Sequence, residues 1–287
     1  MLAVGSARRT PAELAELLGA LAGQALHDEA TLTPKPGLVD ARGGGAHHDM
    51  DLPTLLDSAA ALVAPIAACA AAATCLPLGR DLRAVIGVIG RDGEQRMLAA
   101  TGGVNTHRGA LWALGLLAAG IAATGTVAGA RGFAARLAAV ADPAVEARAT
   151  SHGSRVRRVF GATGARGEAR RGFPHAVDVA LPMLHARRAA RRDEHTARTD
   201  ALLASMSSLE DTCLLHRAGR RGLQAVRTGA AAVLRAGGSG SAGGGAALDR
   251  LDRLCRHRRL SPGGSGDALA AALFLDAAGR LLTERSS

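Results

Sequence analysis

A chain of 287 residues with no tyrosine, four phenylalanines and one tryptophan cannot build its interior from aromatic rings. Its hydrophobic share is nevertheless 48%, and that share rests on Ala, Leu and Val. Ala and Leu are the strongest helix formers, whereas strands draw on β-branched and aromatic side chains. The chain is therefore expected to be all-α, a single large helical domain over residues 1–287 with glycine-rich loops opening its helices.

The periodicity of apolar residues places these helices. Thr10-Pro11-Ala12-Glu13 reads as an N-cap, an N1 proline and a capping-box glutamate. Leu14, Leu17, Leu18, Leu21, Ala25 and Leu26 follow at helical spacing, and Glu29 falls in the last turn of a helix ending near Thr31. Residues 33–49 read as a loop. A second helix is expected from Leu52 into the seventies, kinked at Pro65. Asp81 is expected to cap a third helix, and Asn105 or Thr106 a fourth, very apolar one over Arg108–Thr124. Further helices are expected near 128–141, 143–158, 166–190, 195–218, 220–236, 246–257 and 268–282. Residues 236–245, nearly all Gly, Ser and Ala, read as a flexible surface loop.

Charge and cysteine usage narrow the function. The net charge is +10, almost entirely from arginine, but the basic runs carry no interleaved aromatics on which bases could stack. Most of these arginines are expected to be a solvated surface, with no nucleic-acid partner. Cys69, Cys75, Cys213 and Cys255 show no CxxC spacing, which excludes zinc-ribbon and thioredoxin-type sites. Arg8-Arg9 precedes Thr10-Pro11-Ala12-Glu13 rather than an apolar run, so no secretory signal is read and a cytoplasmic location is expected. Ser58–Leu78 is uncharged and long enough to span a bilayer. Its alanines and its two prolines, Pro65 and Pro77, favour a buried helix instead.

In a chain this rich in arginine, Lys35 is the only lysine and Asn105 the only asparagine. Both lie in glycine-bearing loops, where binding groups are commonly placed. Around Lys35, Glu29, Asp40, Asp49 and Asp51 are oxygen donors of the kind Mg²⁺ prefers beside phosphates, and Lys35 is a point charge suited to phosphate. Asp49 and Asp51 are equally N-cap candidates for the next helix. Gly102–Gly109 feeds a helix N-terminus, a natural place for an anion, with His107 and Arg108 as added donors. The stretch Gly161–Glu168 and the loop Ser261–Asp267 add two more glycine-rich helix starts. Together they describe a site for a nucleoside triphosphate and its metal.

Read in order, Glu29, Pro34-Lys35-Pro36-Gly37-Leu38-Val39-Asp40, Gly45-Ala46-His47 with Asp49-Met50, Asn105-Thr106-His107-Arg108-Gly109, Gly164-Ala165-Arg166-Gly167-Glu168-Ala169 with Gly172-Phe173-Pro174, and Ser261-Pro262-Gly263-Gly264-Ser265 with Asp267 resemble the triphosphoribosyl-dephospho-CoA synthases. The motifs cover most of the chain. Arg108 stands where the family more often has lysine, Gly266 where alanine is expected, and His48 occupies a variable slot. The resemblance implies an all-helical transferase that joins ATP to 3′-dephospho-CoA and releases adenine. Its product is the prosthetic-group precursor for the acyl-carrier subunit of malonate decarboxylase or citrate lyase, taken up by a downstream holo-acyl-carrier-protein synthase. Malonate decarboxylase is the expected destination, because no second transferase domain is fused to this chain.

On that resemblance Glu29 and Asp49 are the catalytic candidates. Lys35, Gly37, Asp40, His47, Asn105, His107, Arg108, Arg166, Glu168, Gly263, Gly264 and Ser265 are candidates for substrate binding, and Asp49, Asp51 and Asp267 for Mg²⁺. Two other readings are weighed: a metal-dependent phosphohydrolase built on His47-His48-Asp49, and a basic helical nucleic-acid-binding protein.

Overall fold

A computed structural model describes residues 10–144, 156 and 159–283. The described residues form helices α1 (Pro11–Thr31), α2 (Leu52–Cys75), α3 (Arg80–Ala100), α4 (Arg108–Thr124), α5 (Val127–Ala139), α6 (Gly164–Arg170), a π-helical turn (His175–Ala180), α7 (Leu181–Ala189), α8 (Glu194–Ser208), α9 (Thr212–Arg235), α10 (Ala242–His257) and α11 (Gly263–Thr283). No strand occurs among them, only an isolated bridge between Asp40 and Gly43. The chain is all-α. The helix expected near 143–158 falls almost wholly outside the described residues.

α4 is the axis of the fold. After Arg108 it contains no charged residue, and eleven of its seventeen residues are buried. A helix apolar on every side is stable in water only when neighbours cover it. Here α1, α2, α3, α5, α6 and α11 do so, and one contiguous core runs from Leu14 to Ala278. Without aromatic bulk, close packing requires the backbones themselves to approach. α1 meets α2 at Gly19, where an added Cβ would lie 2.7 Å from Ala67 Cβ. α4 meets α5 at Gly120, where it would lie 2.7 Å from the Ala130 carbonyl.

Most helix starts follow the sequence signals. Thr10 and Glu13 form the reciprocal capping box, and Asp51 caps α2 by accepting from the Thr54 backbone N–H. Elsewhere tertiary contacts override them. Gly79, not Asp81, precedes α3, and Asp81 lies inside its first turn. His107 occupies the N-cap position of α4 with no side-chain cap bond, because the Thr106 hydroxyl is turned to Ser58 on α2. The helix expected over 166–190 breaks at Gly172-Phe173-Pro174, where both Gly172 (φ 74°) and Phe173 (φ 56°) take positive φ. The helix expected over 195–218 ends at Ser208, and α9 starts at Thr212 under the Asp211 cap and continues through Gly219 (φ 61°), where the sequence placed the boundary.

Two further expectations are corrected. The stretch 236–245 is not a loose surface loop: Ser241 caps α10, which starts at Ala242, and Gly238 and Gly244 are buried against each other. The last helix begins at Gly263 rather than Ala268, which brings Ser265 and Asp267 into its first turns. α2 is long and apolar enough to cross a membrane (mean hydropathy 1.8). It runs through Pro65 and packs on α1, α3 and α4.

The glycine contacts give a paired prediction. Gly120→Ala improves helix propensity by about 1 kcal/mol, but its methyl meets the α5 backbone, and overpacking costs about 1–3 kcal/mol. Gly90, in α3, faces open space, so Gly90→Ala gains the propensity alone. Urea unfolding is expected to show loss of stability for the first and gain of up to about 1 kcal/mol for the second.

Candidate active site

Glu29 and Lys35 meet in the interior. The Lys35 ammonium donates to the Glu29 backbone carbonyl (2.6 Å) and to its Oε1 (2.8 Å), and the Lys35 residue is fully buried. The loop after α1 is folded around this pair. Asp40 accepts from the Lys35 backbone N–H (2.9 Å) and from the Arg42 side chain. Although burial works against ionisation, Arg42 and the backbone N–H groups of Lys35 and Arg42 hold Asp40 below the usual carboxylate range. Arg42 also bonds Asp252 of α10 (2.9 Å), which receives Arg256 as well. Gly37 has φ 71°, and an added Cβ would stand 2.1 Å from the Leu260 carbonyl, so only glycine lets the loop lie flat against the end of α10.

The first turns of α11 bring three carboxyl groups together. An added Cβ on Gly266 would lie 3.1 Å from Glu29 Oε1, and one on Gly109 would collide with Asp267. Asp267 accepts from the Ala110 backbone N–H in the first turn of α4; burial, reinforced by Asp211 and Glu29, pushes its carboxyl up to about 8. Asp211, at the N-cap of α9, is buried and accepts from the backbone N–H of Cys213 (2.9 Å), and from Ser265 through its N–H (3.1 Å) and hydroxyl (3.3 Å). Burial raises its carboxyl too. Helix-start donors read from sequence as anion-ready are thus engaged in part by the protein's own carboxylates. Gly263 and Gly264 let α11 approach Cys213 and Asp211 closely.

Both motif histidines are held neutral. His47 lies between Ser261 Oγ (2.8 Å) and Arg217 (3.1 Å); burial and the Arg217 charge depress its basicity. His107 sits against Ser58 Oγ (2.8 Å), and burial lowers its value to about 4.

The remaining candidates lie around this centre. Asp49 is exposed, with an oxygen 3.6 Å from His47. Asp51 is engaged as the α2 cap through both the backbone and hydroxyl of Thr54. Asn105 is exposed, and among the described residues its side chain has no hydrogen-bond partner. Arg108 is half-exposed and paired with Glu94. Arg166 is exposed on α6. Glu168 bridges the Gly172-Phe173-Pro174 turn by accepting from His175 (2.9 Å) and Arg171 (2.6 Å); against the effect of burial, these bonds lower its pKa.

Among the described residues no group of three or more His, Cys, Asp or Glu side chains is arranged to hold a metal ion. Asp49, Asp51 and Asp267 form no such group, and neither do His47, His48 and Asp49. Many arginines are committed to internal pairs, including Arg83 with Asp142, Arg187 with Asp200 and Arg188 with Asp276, which removes them from a free basic surface.

A family model described as ATP:dephospho-CoA triphosphoribosyl transferase matches residues 15–286. The chain belongs to this family. A probable 2-(5''-triphosphoribosyl)-3'-dephosphocoenzyme-A synthase of Azotobacter vinelandii is 52% identical over 267 residues, covering 92% of this chain and 91% of that protein. A relative of the same name from Pseudomonas putida is 50% identical over 279 residues, covering 96% and 99%. No solved structure gives a significant match. The chain is a transferase of this family, and the buried charged centre where α1, α4, α9 and α11 meet is its candidate site.

Sequence reasoning missed four residues that the structure places at this candidate centre: Ser58, Asp211, Arg217 and Asp252. Asp211 carried a detectable signal, an acidic residue between two apolar helical stretches. Ser58, within an alanine run, carried none.

Two predictions follow from the buried charges. Lys35→Met leaves Glu29 as a buried charge without its partner, which costs about 3–5 kcal/mol. Adding Glu29→Gln is expected to recover part of that loss in urea unfolding. Asp267, raised above its unfolded value, contributes stability that is complete below the ordinary aspartate value of 3.8 and is lost as pH rises toward about 8. Asp267→Asn is expected to flatten the fall in stability across that window; an unchanged slope contradicts a neutral Asp267.

Proposed function

We propose that the chain transfers the triphosphoribosyl group of ATP to 3′-dephospho-CoA and releases adenine. The observation that carries this reading is the juxtaposition of Glu29, ion-paired with Lys35, and Asp267, a carboxyl that burial pushes up to about 8. An ion-paired carboxylate beside a carboxyl that burial makes slow to ionise can serve as an acid–base pair, and glycosyl transfer through an oxocarbenium-like transition state uses such a pair.

In the proposed step the ribose 2′-hydroxyl of dephospho-CoA attacks the anomeric carbon of ATP. The new C–O bond forms as the C–N bond to adenine breaks. Glu29 takes the hydroxyl proton and Asp267 gives one to the departing adenine. Glu29 is preferred to Asp49 as the base because it is buried, where its charge acts on the developing cation with little screening. Asp49, at the solvent-facing rim, is the alternative. Phosphate contacts are assigned to Arg108 and Arg166, and sugar contacts to Asn105 and His107. Lys35 acts by holding Glu29 in place, and Asp40 and Gly37 by shaping the loop. The Mg²⁺ expected with a triphosphate would be held chiefly by the nucleotide's own oxygens and water.

We place this reaction in the cytoplasm. Its product would supply the acyl-carrier subunit of malonate decarboxylase, through a holo-acyl-carrier-protein synthase that takes up the triphosphoribosyl-dephospho-CoA. This destination rests on the sequence resemblance and is checked by mass spectrometry of the carrier subunits after a coupled reaction.

The deciding experiment incubates the protein with ATP, Mg²⁺ and dephospho-CoA and follows adenine by chromatography. Adenine release that depends on dephospho-CoA is expected; phosphate release without adenine points to a phosphohydrolase instead. Glu29→Gln is expected to lower turnover by about 10²–10⁴-fold. Near-normal turnover in both Glu29→Gln and Asp49→Asn defeats the carboxylate scheme.

A further inference from the structure

Ser58 lies in the middle of α2 and is fully buried. Nothing about a serine in an alanine-rich helix points to chemistry, yet its hydroxyl is placed between two residues of the Asn105–Gly109 motif. Thr106 Oγ1 donates to Ser58 Oγ at 2.6 Å, and His107 Nδ1 lies 2.8 Å from the same oxygen. A hydroxyl carries a single proton. Thr106 donates into Ser58 Oγ, and among the described residues the Ser58 proton has no acceptor other than His107 Nδ1; with Nδ1 as the acceptor that buried proton is paired, whereas an Nδ1–H would leave it orphaned. A neutral imidazole that accepts at Nδ1 carries its hydrogen on Nε2.

That Nε2 atom is buried and has no hydrogen-bond partner among the described residues. Buried polar groups are nearly always paired, and an orphaned donor is destabilising. The ring lies within the electrostatic reach of both Glu29 and Lys35, two residues before Gly109, whose Cα abuts Asp267. The unpaired donor therefore sits at the charged centre, not in a remote part of the core.

We infer that Ser58 is a positioning residue: it locks His107 in the Nε2–H tautomer, so that the ring donates a hydrogen bond to an oxygen of the bound nucleotide. His107 is then a fixed donor and not a proton acceptor, because its only basic nitrogen is already occupied by Ser58. This rests on the nucleotide reading of the site, while the tautomer itself is independent of that reading.

The test is ¹⁵N–¹H NMR of the histidine side chains, with His107 assigned by the signal lost in His107→Gln. The unaltered chain is expected to show the Nε2–H pattern for His107, and ATP is expected to shift that resonance. A predominantly Nδ1–H ring in the unaltered chain overturns the proposal, and this readout needs no Ser58 variant to fold. Ser58→Ala, checked for an unchanged melting temperature, is expected to populate the Nδ1–H form and to lower kcat/KM by about tenfold or more. In a His107→Gln background, where the amide donor does not depend on Ser58, the same substitution is expected to cost less than about threefold. An equal loss in both backgrounds means that Ser58 does not act through His107. If the unaltered chain releases no adenine, the functional reading falls while the tautomer result still stands.

Discussion

The salt bridge between Lys35 and Glu29 is the constraint on which the site depends. Both side chains are almost wholly withdrawn from water, and neither charge is tolerable there alone. The pair therefore fixes the position of the loop after α1 relative to the last turn of that helix. Lys35 also supplies the backbone N–H that Asp40 accepts, and Asp40 in turn orders Arg42, which reaches Asp252 on α10. One buried ammonium thus anchors a chain of contacts from α1 to α10, with Gly37 giving the clearance that lets the loop close.

A second consequence of this enclosure is that the surrounding ionisable groups cannot all carry charge. Glu29 has Lys35 as its counter-ion. Asp211 and Asp267 do not, and burial raises both. His107 is driven the other way, towards the neutral ring. The result is a small region with one tight ion pair, two carboxyl groups that burial makes slow to ionise and a neutral imidazole. Such a region can take up and give protons in fixed directions without the screening that bulk water would impose. The first turns of α4 and α11, tied to these carboxyl groups through Ala110 and Ser265, form part of the same hydrogen-bonded unit.

Much of this was legible before any coordinates. The shortage of aromatics implied helices, and the Thr10 capping box marked the start of α1. The lone lysine, a phosphate-binding candidate by sequence, lies buried against Glu29. A compact ammonium fits between two oxygens of Glu29 in a closed space, where a planar guanidinium does not. The break at Gly172-Phe173-Pro174 was obscured because the flanking residues keep a helical pattern. Glu168 holds that turn from a distance of seven residues along the chain. The stretch 236–245 misled because glycine usually marks mobility, whereas here its small size lets α10 begin tightly against Gly238.

By itself the sequence determined the helical class, the boundaries of α1, α2 and α4 and the family motifs, because these depend on local propensity, capping and the order of short segments. Only the tertiary structure decided which motif residues share a site and in what state. Lys35 turned inward, Asp51 became a cap, and Asp267 came against α4 with its carboxyl pushed up by burial. Ser58, silent in the sequence, came to direct His107. These outcomes depend on burial and on distances between segments remote in the chain, such as Glu29 and Gly266. The free energy of a charge depends far more on what surrounds it than on its neighbours in sequence.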